Sequence, residues 1–504
     1  MRSESTPAIM SNPAAQADLE AAERVHEEIV EWLLDNASLS APLHEVEAEH
    51  GRRGLELLRR LFQAHIRARG TGRIGTALLV IENGVEKRFE EGREHQCTQK
   101  TLFGPVEVVR QSYSKPGEAS IHPLERMAQM PARSFSYEIQ RRLVKESVRG
   151  PLDEARDSIE ELSGHRVGKG SLEAIITEAA VDFDAFYGQR EPVPAAQSGP
   201  ILVAEADCKG VPMIKPAGTV LPAHRTKGQK SNKKKMAVLA AVYTTESRVR
   251  TAEEVTESLF RDRQALEIVP DKRQDGQKRI KPENKRLWAS LTKGKDKMFD
   301  EIAHECESRD PDHQKQRVAL TDGELALKIR VHRFLDGFTL VLDLMHVLLR
   351  LWKIAHAFYK EGSPEAIRWV KERTQRILEG KVVDVARGAR IAATKQGLKG
   401  SRLKAVLEAT SFLLKNRNQM RYHEYLSKGW PIATGNIEGA AKHLVRDRME
   451  RAGMRWSEAG AEALLQLRAL HINGHLDDYW AFHITEEQER IHPPDRWRAL
   501  QEAS

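Results

Sequence analysis

Apolar positions change their spacing several times along the chain, and each change marks a new kind of element. Leu19, Ala22, Val25, Ile29, Trp32 and Leu33 recur every three or four residues, which predicts an amphipathic helix from Gln16 to Asp35 after a flexible leader over residues 1–15. A second helix is expected near Leu55 to Ile66. From Ile74 to Tyr113 the texture becomes that of strands. Ala77–Glu82 and Val85–Phe89 flank Asn83-Gly84, the strongest short hairpin signal, and a second hairpin is expected around Gly104-Pro105. Residues 120–188 return to helical spacing. Within them Pro151–Leu162, the turn Ser163–Val167 and Gly168–Ala180 have the layout of a helix-turn-helix. Its second helix would begin near Lys169 and Ser171, where a recognition helix reads bases, although any helical hairpin gives the same pattern. Gly188–Gly199 is a Pro-containing linker and a domain boundary.

Beyond the linker, short apolar runs end on carboxylates. Ile201–Ala206 closes on Asp207, and Lys209-Gly210 reads as a turn. Val211–Ile214 is the next expected strand, placed at an edge by Pro212, and Met236–Tyr243 the third. A helix follows over Thr251–Phe260. Residues 271–297 are mainly basic, with ten Lys/Arg against four Asp/Glu. Arg317–Thr321 closes on Asp322, and Phe338–Leu342 closes on Asp343, with His346 three residues on. From Val347 to Tyr425 only helical spacing remains. Trp430–Asn436 breaks the chain, and the last helical region opens with Ile437, Glu438 and Gly439.

Composition narrows the class. The chain has 504 residues, 40% of them hydrophobic, which supports several cores and excludes a disordered protein. A net charge of +7 points to a polyanionic partner. Cys97, Cys208 and Cys306 form no CxxC pair, so neither a disulfide framework nor a zinc site is expected, and a reducing cytosol fits. No secretory leader and no membrane span are visible: Phe338–Trp352, the most apolar candidate, contains Asp343, His346 and Arg350.

The order strand, strand, strand, helix, strand, helix, strand, helices over residues 200–470 is that of a ribonuclease H-like α/β fold, a mixed five-stranded sheet flanked by helices. In that order Asp207 ends the first strand and Asp322 the fourth, its neighbour, while Glu438 opens a late helix. Carboxylates gathered at one sheet edge suit Mg²⁺ or Mn²⁺, hard ions that prefer oxygen donors, waters and phosphate oxygens. Asp343 also ends an apolar strand and is the alternative second carboxylate; strand order favours Asp322. Asp343 and His346 have an equally plain reading as a hydrogen-bonded pair at a helix start. Lys233, Lys234 and Lys235 beside a strand, and Lys442, Arg446, Arg448 and Arg451 after Glu438, suit a phosphate backbone. Cys208, Trp430, Trp456 and Trp480 read as packing residues.

Taken together, Ala206–Met213, Lys233–Ala237 with Ala240–Tyr243, Leu320–Glu324, Asp343–His346, Gly435–Gly439, Arg448-Met449, Gly453–Trp456 and Leu467–Leu470 resemble the bacterial insertion-sequence transposases of the ISKra type, in the DDE superfamily and akin to Mutator-like transposases. The likeness spans roughly residues 120–480, with the motifs in the family's order. It implies a catalytic and metal-holding triad of Asp207, Asp322 and Glu438, with Asp343 and His346 as an auxiliary Asp-x-x-His signature. It also implies DNA cleavage and strand transfer at terminal inverted repeats, double-stranded DNA as partner, a homodimer or higher oligomer, and a bacterial cytoplasmic, nucleoid-associated setting. Relatives carry Cys pairs ahead of the helix-turn-helix; here Ser112–Gly117 takes that stretch, so no zinc element is expected. The organisation that follows is an N-terminal helix and β-hairpin module (1–118), a helix-turn-helix DNA-binding domain (119–190), the first part of the catalytic core (200–346), an all-α insertion (347–428), the final core helices (429–480) and a tail (481–504). A non-catalytic DNA-binding protein and a ribonuclease H-like nuclease are the rival readings.

Overall fold

The computed structural model describes residues 12–82, 85–215, 234–260, 281–450, 453–492 and 497–500. The chain divides into two units, Met1–Phe186 with His475–Ser504, and Tyr187–Gly474.

The first unit opens with α1 (Pro13–Leu34), α2 (Asn36–Ser40) and α3 (Leu43–Ala68). Helix α1 starts before the first periodic apolar residue because the Asn12 side chain caps it, accepting from the Ala14 and Ala15 N–H groups. Helix α3 starts well before Leu55; its first half is polar on nearly every side and shows no apolar stripe in the sequence. Then come β1 (Ala77–Glu82), β2 (Val85–Thr101) and β3 (Gly104–Ser114). Strand β2 is one strand of 17 residues. Its first half pairs with β1 and its second with β3, with an irregularity between Glu91 and Glu94. The Asn83-Gly84 turn lies outside the described residues. The second hairpin turns at Leu102-Phe103 rather than at Gly104-Pro105, since Thr101 already pairs with Gly104. Helices α4 (Pro123–Met127), α5 (Tyr137–Arg149), α6 (Leu152–Ser163), α7 (Lys169–Glu178) and α8 (Phe183–Gln189) follow. Helices α6 and α7 both pack on α5. Helix α6 stops at Gly164, whose φ of 68° is left-handed and suits glycine.

The second unit is built on β4 (Ile201–Pro212), β5 (Lys234–Thr245), α9 (Ala252–Leu259), β6 (Glu283–Ser290), α10 (Gly294–Arg309), β7 (Gln316–Thr321), α11 (Leu325–Phe334) and β8 (Thr339–Leu342). The five strands form one mixed sheet in the order β6-β5-β4-β7-β8. Pairings β6/β5 and β5/β4 are antiparallel, while β4/β7 and β7/β8 are parallel. Two expectations fail here. Strand β4 does not stop at Asp207: Lys209-Gly210 is no turn, and Val211-Pro212 are paired residues of the same strand, opposite Lys235 and Lys234. Gly210 serves close approach, because a Cβ there would meet the Lys234 side chain at 2.9 Å. The second strand is therefore β5, and the third is β6, inside the basic stretch. Its edge position in the sheet explains the disguise, since only its end, Leu287–Ser290, is buried.

After β8 the described chain is helical up to Ser427, through α12 (Leu344–Phe358), α13 (Pro364–Leu378), α14 (Val382–Lys395), α15 (Gly400–Lys415) and α16 (Tyr422–Ser427). These helices share one apolar core with Ile201, Val203, Val318, Leu320 and Val341, the alternate residues of one sheet face. Helix α10 packs against β4 and β5. Then come α17 (Gly435–Ala440), a π-helical turn over Ala441–Arg446, α18 (Asp447–Met449) and α19 (Glu458–Asn473). Trp430 and Trp456 are buried, as packing residues should be.

The chain then re-enters the first unit with α20 (Leu476–Ile491) and β9 (Trp497–Leu500), which pairs with β1. Buried Asp182 fixes α20: it accepts from His483 Nδ1 at 2.7 Å and from two Arg490 nitrogens at 2.6 and 3.0 Å. No helix among the described residues is long and apolar enough to cross a membrane.

Candidate functional site

The register of the parallel strands explains why apolar runs close on Asp. Pairing of β4 with β7 runs at a constant offset, Ile201 with Gln316 to Glu205 with Leu320. Two steps further along that offset, Asp207 lies level with Asp322. Pairing of β7 with β8 runs from Val318 with Thr339 to Thr321 with Leu342, and one step on sets Asp322 level with Asp343. The register thus brings three aspartates into a row, Asp207 on β4 and Asp322 and Asp343 just past the ends of β7 and β8, with Asp322 in the middle. At a strand spacing of about 4.8 Å, Asp207 and Asp322 are direct neighbours, whereas Asp343 is about 10 Å from Asp207.

The three carboxylates are not equivalent. Asp207 is half-buried, and its Oδ1 accepts from the Cys208 N–H at 2.7 Å. Burial raises its pKa, and the charge of Asp322 pushes it further up. Asp322, half-exposed just past the end of β7, accepts from the Glu324 N–H at 2.8 Å. Gly323 makes that loop possible: its φ is +86°, and a Cβ there would meet Leu342 at 2.7 Å and Phe412 at 3.1 Å. Asp343 is fully buried and spoken for. It caps α12, taking the His346 N–H at 3.2 Å and His346 Nδ1 at 2.6 Å on Oδ2, and the Thr434 N–H at 2.8 Å on Oδ1. Burial alone would raise the Asp343 pKa, but these bonds outweigh it and hold the carboxyl below its usual range. The Asp343 hydrogen bond raises the His346 pKa against burial, and the charges of Asp322 and Asp207 add to the effect. His346 therefore faces the same negative edge.

Glu205 is a residue that motif reading passed over. It sits two positions before Asp207, on the same face of β4, and is buried. Its carboxylate accepts from Tyr243 Oη at 2.8 Å and from the Ile437 N–H at 2.8 Å. Burial pushes its pKa up to about 7. The available signal was a lone carboxylate inside an otherwise apolar strand, which is rare without a purpose.

Glu438 lies on α17, one residue beyond Ile437, so its backbone is brought beside β4; its side chain lies outside the described residues. Among the described residues no group of three His, Cys, Asp or Glu side chains stands as a preformed metal site. The donor chemistry nevertheless fits a divalent cation. Two hard, partly solvent-facing carboxylates stand side by side, one on β4 and one just past the end of β7, and the Asp322 charge disfavours ionised Asp207.

The basic candidates are scattered. Lys234 is ion-paired with Glu450, and Lys235 with Glu458 at 2.5 Å. Lys233 lies outside the described residues. Lys442 and Arg446 are exposed on the π-helical turn. Arg448 is not on their side: it is buried, its guanidinium 4.9 Å from the Trp456 ring centroid. Arg451 lies outside the described residues. In the first unit, Lys169 is exposed and Ser171 half-exposed in the first turn of α7. Cys208, half-buried next to Asp207, has its thiol pKa pushed up to about 11 by burial, which is the wrong direction for a nucleophile.

No family model and no curated protein matches the chain. Among solved structures it is similar to one described as the Drosophila P element transposase strand transfer complex, at 10% identity and a TM-score of 0.25, covering 72% of this chain and 82% of that one.

Proposed function

We propose that the protein is a DNA transposase of the DDE class, with a ribonuclease H-like core and the helices from α12 to α16 as an insertion in it. One observation carries this reading: Asp207 on β4 and Asp322 just past the end of the neighbouring parallel strand β7 come to one level in a five-stranded sheet of order β6-β5-β4-β7-β8, at the edge approached by the helix of Glu438. That strand order and mix of directions is the one expected for a ribonuclease H-like sheet.

Asp207, Asp322 and Glu438 would hold two Mg²⁺ or Mn²⁺ ions. Such ions supply Lewis-acid activation of a water or 3′-hydroxyl and stabilise the leaving oxygen of an in-line phosphoryl displacement. The chain's own share is to hold its carboxylates side by side, so that the scissile phosphate and attacking oxygen share one edge. No covalent protein–DNA intermediate is required. Asp343, with both oxygens engaged, acts as an auxiliary residue and His346 as its partner. Lys169 and Ser171 on α7 would read the terminal inverted repeats, with Lys442 and Arg446 on the phosphate backbone and Lys233–Lys235 as further candidates, of which Lys234 and Lys235 would first leave their acidic partners. Two ends must be cut together, which calls for a dimer or higher oligomer working on bacterial DNA in the cytoplasm.

Incubation with a labelled terminal repeat and Mg²⁺ or Mn²⁺ tests the reading. Joined product supports a transposase. Cutting without joining points to a nuclease, and a mobility shift without cutting to a DNA-binding regulator. Asp207→Asn and Asp322→Asn should each lower cleavage at least about 100-fold while DNA affinity stays within twofold, because metal-ion activation is worth several kcal/mol. Full activity in either variant would refute the assignment.

A further inference from the structure

We infer that Glu205 and Asp343 form a two-point clamp that positions the segment carrying Glu438 against the Asp207–Asp322 edge. The inference rests on the proposed function for what Glu438 does, but the clamp itself is a matter of geometry.

Three hydrogen bonds tie residues 432–437 to the sheet and to the start of α12. The Leu344 N–H donates to the Ile432 carbonyl at 2.9 Å. The Thr434 N–H donates to Asp343 Oδ1 at 2.8 Å, and the Ile437 N–H to Glu205 Oε2 at 2.8 Å. The two carboxylates straddle the start of α17 at Gly435: one takes the backbone just before the helix, the other a first-turn N–H that has no partner within the helix.

Both clamp residues are rigidly linked to the metal-edge residues. Glu205 is two positions from Asp207 on the same face of β4, and Asp343 is level with Asp322 one strand over. The reach of the clamp is set by strands rather than loops, which is what a precise site needs. A purely structural role explains the choice of residues poorly. The face that Glu205 shares carries Ile201, Val203, Val318 and Leu320, where another aliphatic side chain would pack without desolvating a carboxylate. Only an acceptor holds the Ile437 N–H, and that N–H belongs to the residue before Glu438.

The test uses the full chain. Hydrogen exchange at the Ile437 amide should quicken about tenfold in Glu205→Ala, the change expected when a buried N–H loses its acceptor. Glu205→Gln, which keeps an acceptor, should restore slow exchange; Tyr243→Phe, which removes the other partner of Glu205, should leave Ile437 unchanged. Mn²⁺ affinity, read by electron paramagnetic resonance, should weaken about tenfold in Glu205→Ala and recover in Glu205→Gln. Asp343→Ala should quicken exchange at Thr434 in the same way. Unchanged exchange at Ile437 in Glu205→Ala overturns the clamp. Quicker exchange with unaltered Mn²⁺ affinity overturns its positioning role and leaves it a structural contact. Asp207→Asn separates this from the reading of the site, since it should abolish Mn²⁺ binding without touching Ile437 exchange. A wild-type chain that binds no Mn²⁺ would sink that reading and the positioning role together, while the exchange data still decide the clamp.

Discussion

Asp343 and His346 show how one carboxylate can be held ionised inside a core. The folded Asp343 pKa lies below its ordinary 3.8, so its stabilising contribution is present above that value and is lost as pH falls through the folded one. The folded His346 pKa lies above its ordinary 6.5, so its contribution is complete below 6.5 and is lost as pH rises through the folded value. The pair therefore stabilises most between those limits. His346→Gln should lower the melting temperature most near pH 5 to 6, by the equivalent of at most about 1 kcal/mol, since the imidazole is more than a third exposed and solvent screens it. The difference from wild type should shrink above neutral pH; a difference that grows with pH would contradict the pairing. At this scale the sequence was informative where chemistry repeats. Asp207, Asp322 and Asp343 each close an apolar run, and the strand register turns that repetition into a row. Glu205 was hidden because a single buried acid follows no motif, and its partner Ile437 lies more than two hundred residues away in the chain.

Among the elements, β7 shows what holds a carboxylate-bearing strand in place. Arg317, second in β7, donates to Asp310 Oδ2 at 3.0 Å and to Glu307 at 2.6 Å, and both Arg317 and Asp310 are buried. Asp310 also accepts from the Gln314 and Lys315 N–H groups. Asp310→Ala would leave a buried guanidinium short of its buried partner and two N–H groups open, and should destabilise the second unit by roughly 3–5 kcal/mol. A shift of the urea midpoint measures this; an unchanged midpoint would show the pair to be dispensable. Asp207→Asn should do the opposite, leaving the midpoint equal or higher because it relieves carboxylate repulsion. Element types were mostly legible from spacing, since buried strands such as β5 and amphipathic helices such as α1 declare their period. Boundaries were less so. Gly210 and Pro212 look like turn punctuation, yet they sit where β4 meets Lys234 closely and where the strand ends. Strand β6 is half-solvated at the sheet edge and carries charges that read as a basic surface.

For the whole molecule, the +7 charge belongs with the proposed DNA partner. If about six phosphates are neutralised, affinity for a terminal-repeat duplex should fall about 10³-fold between 50 and 200 mM salt. A titration that stays flat over this range would argue against a backbone-driven contact. The mixed five-stranded sheet was within reach of sequence because the alternation of strands and helices over residues 200–346 already implies it. The division into two units was not, because nothing local announces that α20 belongs with the first one. That division has a consequence for the order in which the protein can be made. The first unit begins at the N-terminus, but Asp182 waits for His483 and Arg490, and β1 waits for β9. A ribosome must release residues through Leu500 before this unit can close, so the second unit has its full sequence available first. A chain truncated at Gly474 should therefore hold a protease-resistant second unit beside a still-cleavable first one, and full resistance of the first should appear only in chains that extend through Leu500.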